Sequence, residues 1–285
     1  MALLRPVVGR RREKRPKPVP TRLTGMQTLS IVGPGSAEIR DAAVAHLDGR
    51  VATVGRTESV DDAPRDADGR FELSEDGDWT ASGSDRSFAD LLDELAPDYD
   101  YAVISGFSKL RLPTVVIGDA EVPGDVLRRV DDAAALDPGD IAAELDELDP
   151  YVTLETLVTD AKQSPLAERS GAIATFTGRV RAKDAEDDSR TTHLKFEKYD
   201  GVAEQRMADI ADELTAREGV FEVLFHHRTG VVVDGEDIVF VVVLAGHRRE
   251  AFRTVEDGID RLKDEVPLFK KETTEDEEFW VHDRA

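Results

Sequence analysis

The chain has 285 residues, enough for two domains that each bury a core, and it carries 60 acidic against 37 basic side chains with no cysteine. The absence of cysteine excludes disulfides, thiolate metal sites and a cysteine nucleophile, and a net charge of −23 argues against nucleic acid as the main ligand, since a duplex binder presents a basic face. No apolar run approaches the roughly 20 residues that span a bilayer, so a soluble, cytoplasmic protein with no membrane association is expected.

Residues 1–25 stand apart, with eight basic residues, one acid (Glu13) and several prolines, but without the apolar core of a secretory signal. They read as a disordered basic tail or as sequence upstream of a start at Met26; a tether to nucleic acid or membrane is the alternative. The other 260 residues hold 29 basic and 59 acidic side chains. Few lysines, many acids and runs such as Asp184-Ala-Glu186-Asp187-Asp188 look like a halophilic protein, whose self-repulsion is screened by a high-salt cytoplasm.

From Met26 the pattern alternates strand and helix. Thr28–Val32 reads as a buried strand ending at Gly33-Pro-Gly35, residues 36–47 as a helix and Arg50–Val54 as a second strand. The acidic, Gly-rich stretch from Asp61 to Asp85 lacks periodicity and reads as irregular. A short helix at Phe88–Leu95 precedes strands Tyr101–Ile104 and Thr114–Ile117, and helical segments are expected from there to about Leu148. This order predicts a parallel-sheet α/β domain over 26–150, with a junction at Asp149-Pro150.

Beyond the junction the texture changes to α+β. A helix at 153–163 leads to strand Ala172–Phe176, an acidic loop at 182–190 and the alternating strand His193–Glu197. Residues 202–217 are helical, with Met207, Ile210, Ala211 and Leu214 on one face. Strands Phe221–Phe225 and Ile238–Leu244 follow, with a turn at Asp234-Gly235. A helix from about His247 places Phe252, Val255, Ile259 and Leu262 at core spacing and is ended by Pro267. Phe269–Thr273 and Phe279–His282 are short closing strands.

The chain has only ten lysines, yet Lys263, Lys270 and Lys271 fall close together, next to the helix that His247 and Arg248 open. A helix start offers free N–H groups and the positive dipole end to an anion. Gly178-Arg179-Val-Arg181 adds a further cationic element. Singly, His247 also reads as a helix cap, Lys263 as a dipole partner and Arg181 as a surface ion-pair former. The two ends of one helix cannot meet, so either the cations line an elongated groove or a dimer completes the site from two chains.

Taken together the motifs resemble the catalytic (large) subunit of molybdopterin synthase, the MoaE family, over residues 151–285. The resemblance rests on Gly171-Ala-Ile-Ala-Thr-Phe176-Thr-Gly178-Arg-Val-Arg181, Leu194-Lys-Phe-Glu197-Lys-Tyr199, His227-Arg228-Thr-Gly230, Gly235-Glu-Asp-Ile-Val-Phe240, His247-Arg248-Arg-Glu-Ala-Phe252 and Leu262-Lys263 through Pro267-Leu-Phe-Lys270-Lys271-Glu272. It implies an α+β fold of the α/β hammerhead type. It also implies transfer of sulfur from the C-terminal thiocarboxylate of a small ubiquitin-like carrier subunit to cyclic pyranopterin monophosphate, giving the dithiolene of molybdopterin with no bound cofactor or metal. By the same resemblance Lys263 and Lys270 are the catalytic lysines. Arg181, His247, Arg248 and Lys271 hold the anionic substrate, Phe176 lines the pocket and Glu272 orients the neighbouring cations. The family's large subunit is a homodimer that captures two small partners, a heterotetramer.

The loop Gly33-Pro-Gly35-Ser-Ala-Glu38-Ile39-Arg40 has the strand–loop–helix layout of a phosphate-binding loop. The pattern G-x-x-x-x-G-K-[ST] would place Gly, Lys and Ser/Thr where Glu38, Ile39 and Arg40 stand, and a carboxylate there repels phosphate. With Asp100–Lys109 and Leu112-Pro113-Thr-Val, the order is similar to the GTP-binding family MobB of molybdopterin-guanine dinucleotide synthesis, over roughly 26–118. That resemblance implies a degenerate P-loop-like domain with no nucleotide-binding residues. A protein that also binds GTP, and a non-catalytic scaffold for cofactor assembly, remain the alternative readings.

Overall fold

A computed structural model describes residues 25–57, 69–183, 185–199 and 201–281. The basic tail expected over 1–25 lies outside these residues apart from Gly25, as do the first part of the acidic stretch after Asp61 and the strand end at His282. None of the described helices is long and apolar enough to cross a membrane.

The first half runs β1 (Gln27–Val32), α1 (Ser36–Val44), β2 (Val51–Gly55), β3 (Gly69–Leu73), β4 (Trp79–Gly83), α2 (Phe88–Leu95), β5 (Tyr101–Ser105), β6 (Thr114–Ile117), β7 (Val126–Val130) and α3 (Pro138–Asp146). Five strands lie side by side in the order β2-β5-β1-β6-β7, all parallel. A parallel sheet needs cover on both faces, and strand alternation divides the work. Leu29, Ile31, Val103 and Val115 pack with Ile39 of α1 and Ile141 of α3, while Ala102 and Ile104 pack with Leu92 of α2. Helix starts are fixed locally: Ser87 and Asp90 form a capping box on α2, and the Asp137 carboxylate caps α3 ahead of Pro138.

Two expectations need correction here. The stretch read as irregular up to Asp85 contains an antiparallel hairpin, β3–β4, closed by a turn in which Ser74 N–H donates to the Asp78 carbonyl at 2.8 Å. Its short apolar alternation is diluted by Gly, Ser and acids, so no window showed a period. The segment after Ile117, read as helical, first adds strand β7 beside β6; Val126-Leu-Arg-Arg-Val130 is too short for its period to be seen.

The second half runs α4 (Leu154–Lys162), β8 (Ala172–Arg179), β9 (Thr191–Lys198), α5 (Val202–Thr215), β10 (Val220–His227), β11 (Gly230–Val233), β12 (Asp237–Ala245), α6 (Arg248–Glu265), β13 (Leu268–Thr274) and β14 (Glu278–Val281). One antiparallel sheet has the order β10-β12-β8, and a second has the order β11-β9-β13-β14. The first is a sandwich centre. Val241, Val243 and Ala174 face α5 and α6 on one side, and Phe240, Val242 and Leu244 face Leu157 of α4 on the other. The second sheet closes a small core of Val180, Leu194, Phe196 and Val232.

Helix α6 buries Ala251, Thr254, Val255, Gly258, Ile259 and Leu262. Phe252, expected at a core position, is 65% exposed and points away from that face. The halves meet where Tyr151 exchanges backbone hydrogen bonds with Met26 at 3.1 and 2.8 Å, directly after the expected junction. The Tyr151 hydroxyl donates to Asp93 of α2 at 2.7 Å, and the Arg228 guanidinium lies 5.6 Å from the Tyr151 ring centre.

Candidate active site

The expected cations fall into two groups separated by α6. At its start His247 occupies the N-cap position in extended conformation, but its side chain makes no capping hydrogen bond and is exposed. His247 is thus the cap residue of α6, as one reading of the sequence had it, but it caps through its backbone alone. His247, Arg248 and Arg249 line a hollow of about 490 Å³ with Gly171, Gly246 and Glu250. Gly171 and Gly246 approach so closely that a Cβ on Gly171 would stand 2.7 Å from the Gly246 carbonyl oxygen, which leaves the helix start uncovered. An opening lined by free N–H groups and two arginines suits an anion.

The other end of α6 lies 18 residues on, about 27 Å by helical rise. Lys263 is exposed in its last turn, and β13 begins three residues after the helix ends. Alternation along β13 separates the neighbours that sequence placed together. Lys270 and Glu272 share the face of Phe196 and Leu194, while Lys271 turns to the opposite face with Trp280. Glu272 accepts a hydrogen bond from the Thr191 hydroxyl, and Lys271 Nζ pairs with Glu278 at 2.8 Å. Arg181 is exposed just past Val180, which packs with Phe196 and Leu194, the residues across from Lys270 and Glu272 on β9. Lys198, Arg206, Arg261 and Lys271 are each paired with a carboxylate there. Lys263 and Lys270 have no ion-pair partner among the described residues.

One flank of α6 connects the two groups. Arg217–Asp257 and Arg261–Glu213, at 2.5 and 2.7 Å, bind one side of α6 to α5. At 3.6 residues per turn Arg248, Phe252 and Lys263 fall on the opposite side, above β8, the free edge of its sheet. Phe176 of β8 is partly buried against the core beneath α6. The strip from His247 to Lys263 is thus open and cationic at both ends, with exposed Phe252 and Glu256 between.

Sequence reasoning gave no role to two further groups beside the corner. The His227 ring stands 4.8 Å from the Phe196 ring centre, and its Nδ1 lies 2.7 Å from the Arg228 carbonyl oxygen. Lys198, paired with Glu204, faces it from β9. His227, Arg228, Lys198, Tyr151, Lys109 and Arg111 border a larger hollow of about 1670 Å³ between the two halves. Both residues sit inside motifs already singled out, and the alternation of β9 was the available signal. Among the described residues no group of three or more His, Asp or Glu is placed to hold a metal ion.

Burial, with the nearby charges of Arg228, His227 and Lys198, pulls the His226 imidazole down to about 3; burial and Lys198 pull His227 down to about 4. Both rings are therefore neutral in the folded protein. An unfolded chain binds these protons near the ordinary histidine value of about 6.5, so it takes them up first as pH falls. Stability contributed by the pair is complete above about 6.5 and is lost as pH drops toward 4. Allowing for the partial exposure of both rings, about 2 kcal/mol of destabilisation is expected at pH 5.5. Thermal melts at pH 7.5 and 5.5 should show this loss in the native chain and a flatter profile in His226→Phe. An unchanged pH profile in that variant would count against the assignment.

A family model described as MoaE protein matches residues 150–265. A protein of Haloferax volcanii described as probable molybdopterin synthase is 59% identical over 262 residues, covering 91% of this chain and all of that protein. The alignment therefore extends well into the N-terminal half. The molybdopterin synthase catalytic subunit of Escherichia coli is 39% identical over 121 residues, covering 42% of this chain and 79% of that protein. Among solved structures, molybdopterin synthase from Staphylococcus aureus is 34% identical, with a TM-score of 0.38, covering 41% of this chain and 83% of that chain. The chain belongs to the MoaE family of molybdopterin synthase catalytic subunits.

Proposed function

We propose that the chain is the sulfur-transferring subunit of molybdopterin synthase. It moves sulfur from the thiocarboxylated C-terminus of a small ubiquitin-like carrier subunit to cyclic pyranopterin monophosphate, and two rounds build the dithiolene. The observation that carries this reading is the corner where Lys263 and Lys270 stand without acidic partners among the described residues of a densely carboxylated protein. Both reactants are anions, and fixed cations are what such a surface must supply to bring them together.

In this reading Lys263 lies beside the thiocarboxylate and Lys270 moves a proton as the cyclic phosphate opens. Arg181, His247 and Arg248 hold phosphate and pterin, and Phe176 lines the strip between them. Lys271 and Glu272 act through β13: the contacts of Lys271 to Glu278 and of Thr191 to Glu272 fix the strand that presents Lys270. Two chains and two carriers form the working assembly, a heterotetramer. The test is reconstitution in molar salt from purified chain, thiocarboxylated carrier and cyclic pterin. No dithiolene under conditions that support a known synthase would remove the reading.

The N-terminal half fits a degenerate P-loop-like scaffold. Arg40 stands where the loop pattern needs a metal-binding Ser or Thr, and its guanidinium donates to the Ser105 hydroxyl at 3.0 Å, at the ends of β2 and β5. An arginine already paired with Asp41, and the Glu38 carboxylate in the loop, both count against a bound nucleotide. Calorimetry with GTP and Mg²⁺ in high salt should give no saturable heat. A micromolar dissociation constant would instead revive a chain with a second, nucleotide-binding activity.

A further inference from the structure

The hairpin β3–β4 presents an uncovered apolar face. Its rungs pair Gly69 with Gly83, Phe71 with Ala81 and Leu73 with Trp79, and alternation puts these six residues on one side. The other side carries Arg70, Glu72, Thr80 and Ser82, with an Arg70–Glu72 ion pair and a Thr80–Glu72 hydrogen bond of 3.4 Å. Phe71, Leu73 and Trp79 are 73%, 77% and 56% exposed. A two-stranded hairpin alone is marginal in water, and in a chain that is 34% charged such a patch is costly unless something covers it.

We propose that a second copy of this chain covers it, through hairpins stacked face to face about a twofold axis. This does not rest on the sulfur-transfer reading. Relief and charge favour this occupant. The bulky rung, Leu73 with Trp79, is at the tip, and the glycine rung is at the root. Antiparallel stacking therefore seats each tip on the other's glycines and brings the two Phe71 side chains together at the centre. The turn holds Glu75, Asp76 and Asp78, so parallel stacking would press two acidic turns together, whereas the antiparallel pair keeps them apart. No ionisable group lies on the face itself, so two strongly acidic molecules can approach there without direct repulsion.

The exposed parts of the three large side chains amount to roughly 400 Å² per copy, about 800 Å² for the pair. That is below a standard interface of ~1,600 Å², which predicts a weak, concentration-dependent contact.

Because the chain has no cysteine, one introduced thiol reports a single position. Ala81→Cys lies on the apolar face, and Thr80→Cys on the polar face serves as its control. A short bismaleimide should link Ala81→Cys chains several-fold more than Thr80→Cys chains, and adding Phe71→Ser with Leu73→Ser should abolish the link. Trp79 is one of two tryptophans, so in a Trp280→Phe background its emission should shift to the blue as protein concentration rises. Equal linking at both positions, or emission that stays that of a solvated indole at all concentrations, would overturn the proposal. So would emission already blue at the lowest concentration without linking, which places the hairpin on its own chain. Burial of Trp79 only when the carrier subunit is added would assign the face to that protein instead.

Discussion

Replacing Lys263 or Lys270 with alanine is expected to cut dithiolene formation by about 10²-fold or more, the usual scale for a group that moves protons in the reaction. Neither substitution should disturb the fold. Lys263 is exposed on α6, whose buried face is Ala251, Thr254, Val255, Gly258, Ile259 and Leu262, and Lys270 makes no ion pair among the described residues. Changes away from core and caps cost about 0.5 kcal/mol or less, so melting temperatures should stay near that of the native chain. Arginine separates the two roles a lysine can have. If Lys263 only attracts the thiocarboxylate, Lys263→Arg keeps the charge and restores much of the rate. If Lys270 gives and takes a proton, Lys270→Arg stays slow, since guanidinium does not deprotonate near neutrality. Native rates in both alanine variants would overturn the assignment of either lysine.

The fold was legible wherever one period ran long enough. Helices α5 and α6 and the core strands β1, β5 and β12 each carry a continuous apolar face or run, and their positions agree with expectation within a few residues. Four strands were hidden because each is only four or five residues long, without a long apolar pattern: β7, β11, and β3 and β4 of the hairpin inside an acidic stretch. Phe252 was misplaced for a different reason. It sits at helical spacing from Val255 and Ile259, but the face also includes Ala251 and Gly258, and these small residues let α6 lie close to the sheet and turn Phe252 outward.

The site was legible as residue types and much less as geometry. Three lysines within nine positions looked like one cluster, yet β13 sends Lys270 and Lys271 to opposite faces of the sheet. The period-two rule would have given this once Leu268–Thr274 was read as a strand. What no local rule gives is the corner between two sheets. Val180 follows β8, Leu194 and Phe196 lie on β9 and Val232 on β11, and only their shared core gathers these segments.

The separation of the two cation groups leads to the second large expected effect. Within one chain α6 holds His247 and Arg248 about 23 Å from Lys263, too far for one small substrate to touch both ends. Either the carrier's extended tail spans the strip along β8, or a symmetric dimer brings the start of one α6 to the end of the other. Complementation separates these. Lys263→Ala and the double variant His247→Ala with Arg248→Ala should each be nearly inactive alone. Coexpressed with different tags in a twofold dimer, half the dimers would be mixed, and each mixed dimer would hold one site with every cation present. If the site is composite, activity should recover to about a quarter of the native value. If each chain holds its whole site, mixing gives no recovery at all. The recovery should also fail at low salt, where two strongly acidic chains repel with little screening and the dimer dissociates. Light scattering across the same salt series fixes the link: activity that persists in a stable monomer would exclude the composite site and leave the sulfur-transfer chemistry to a single chain.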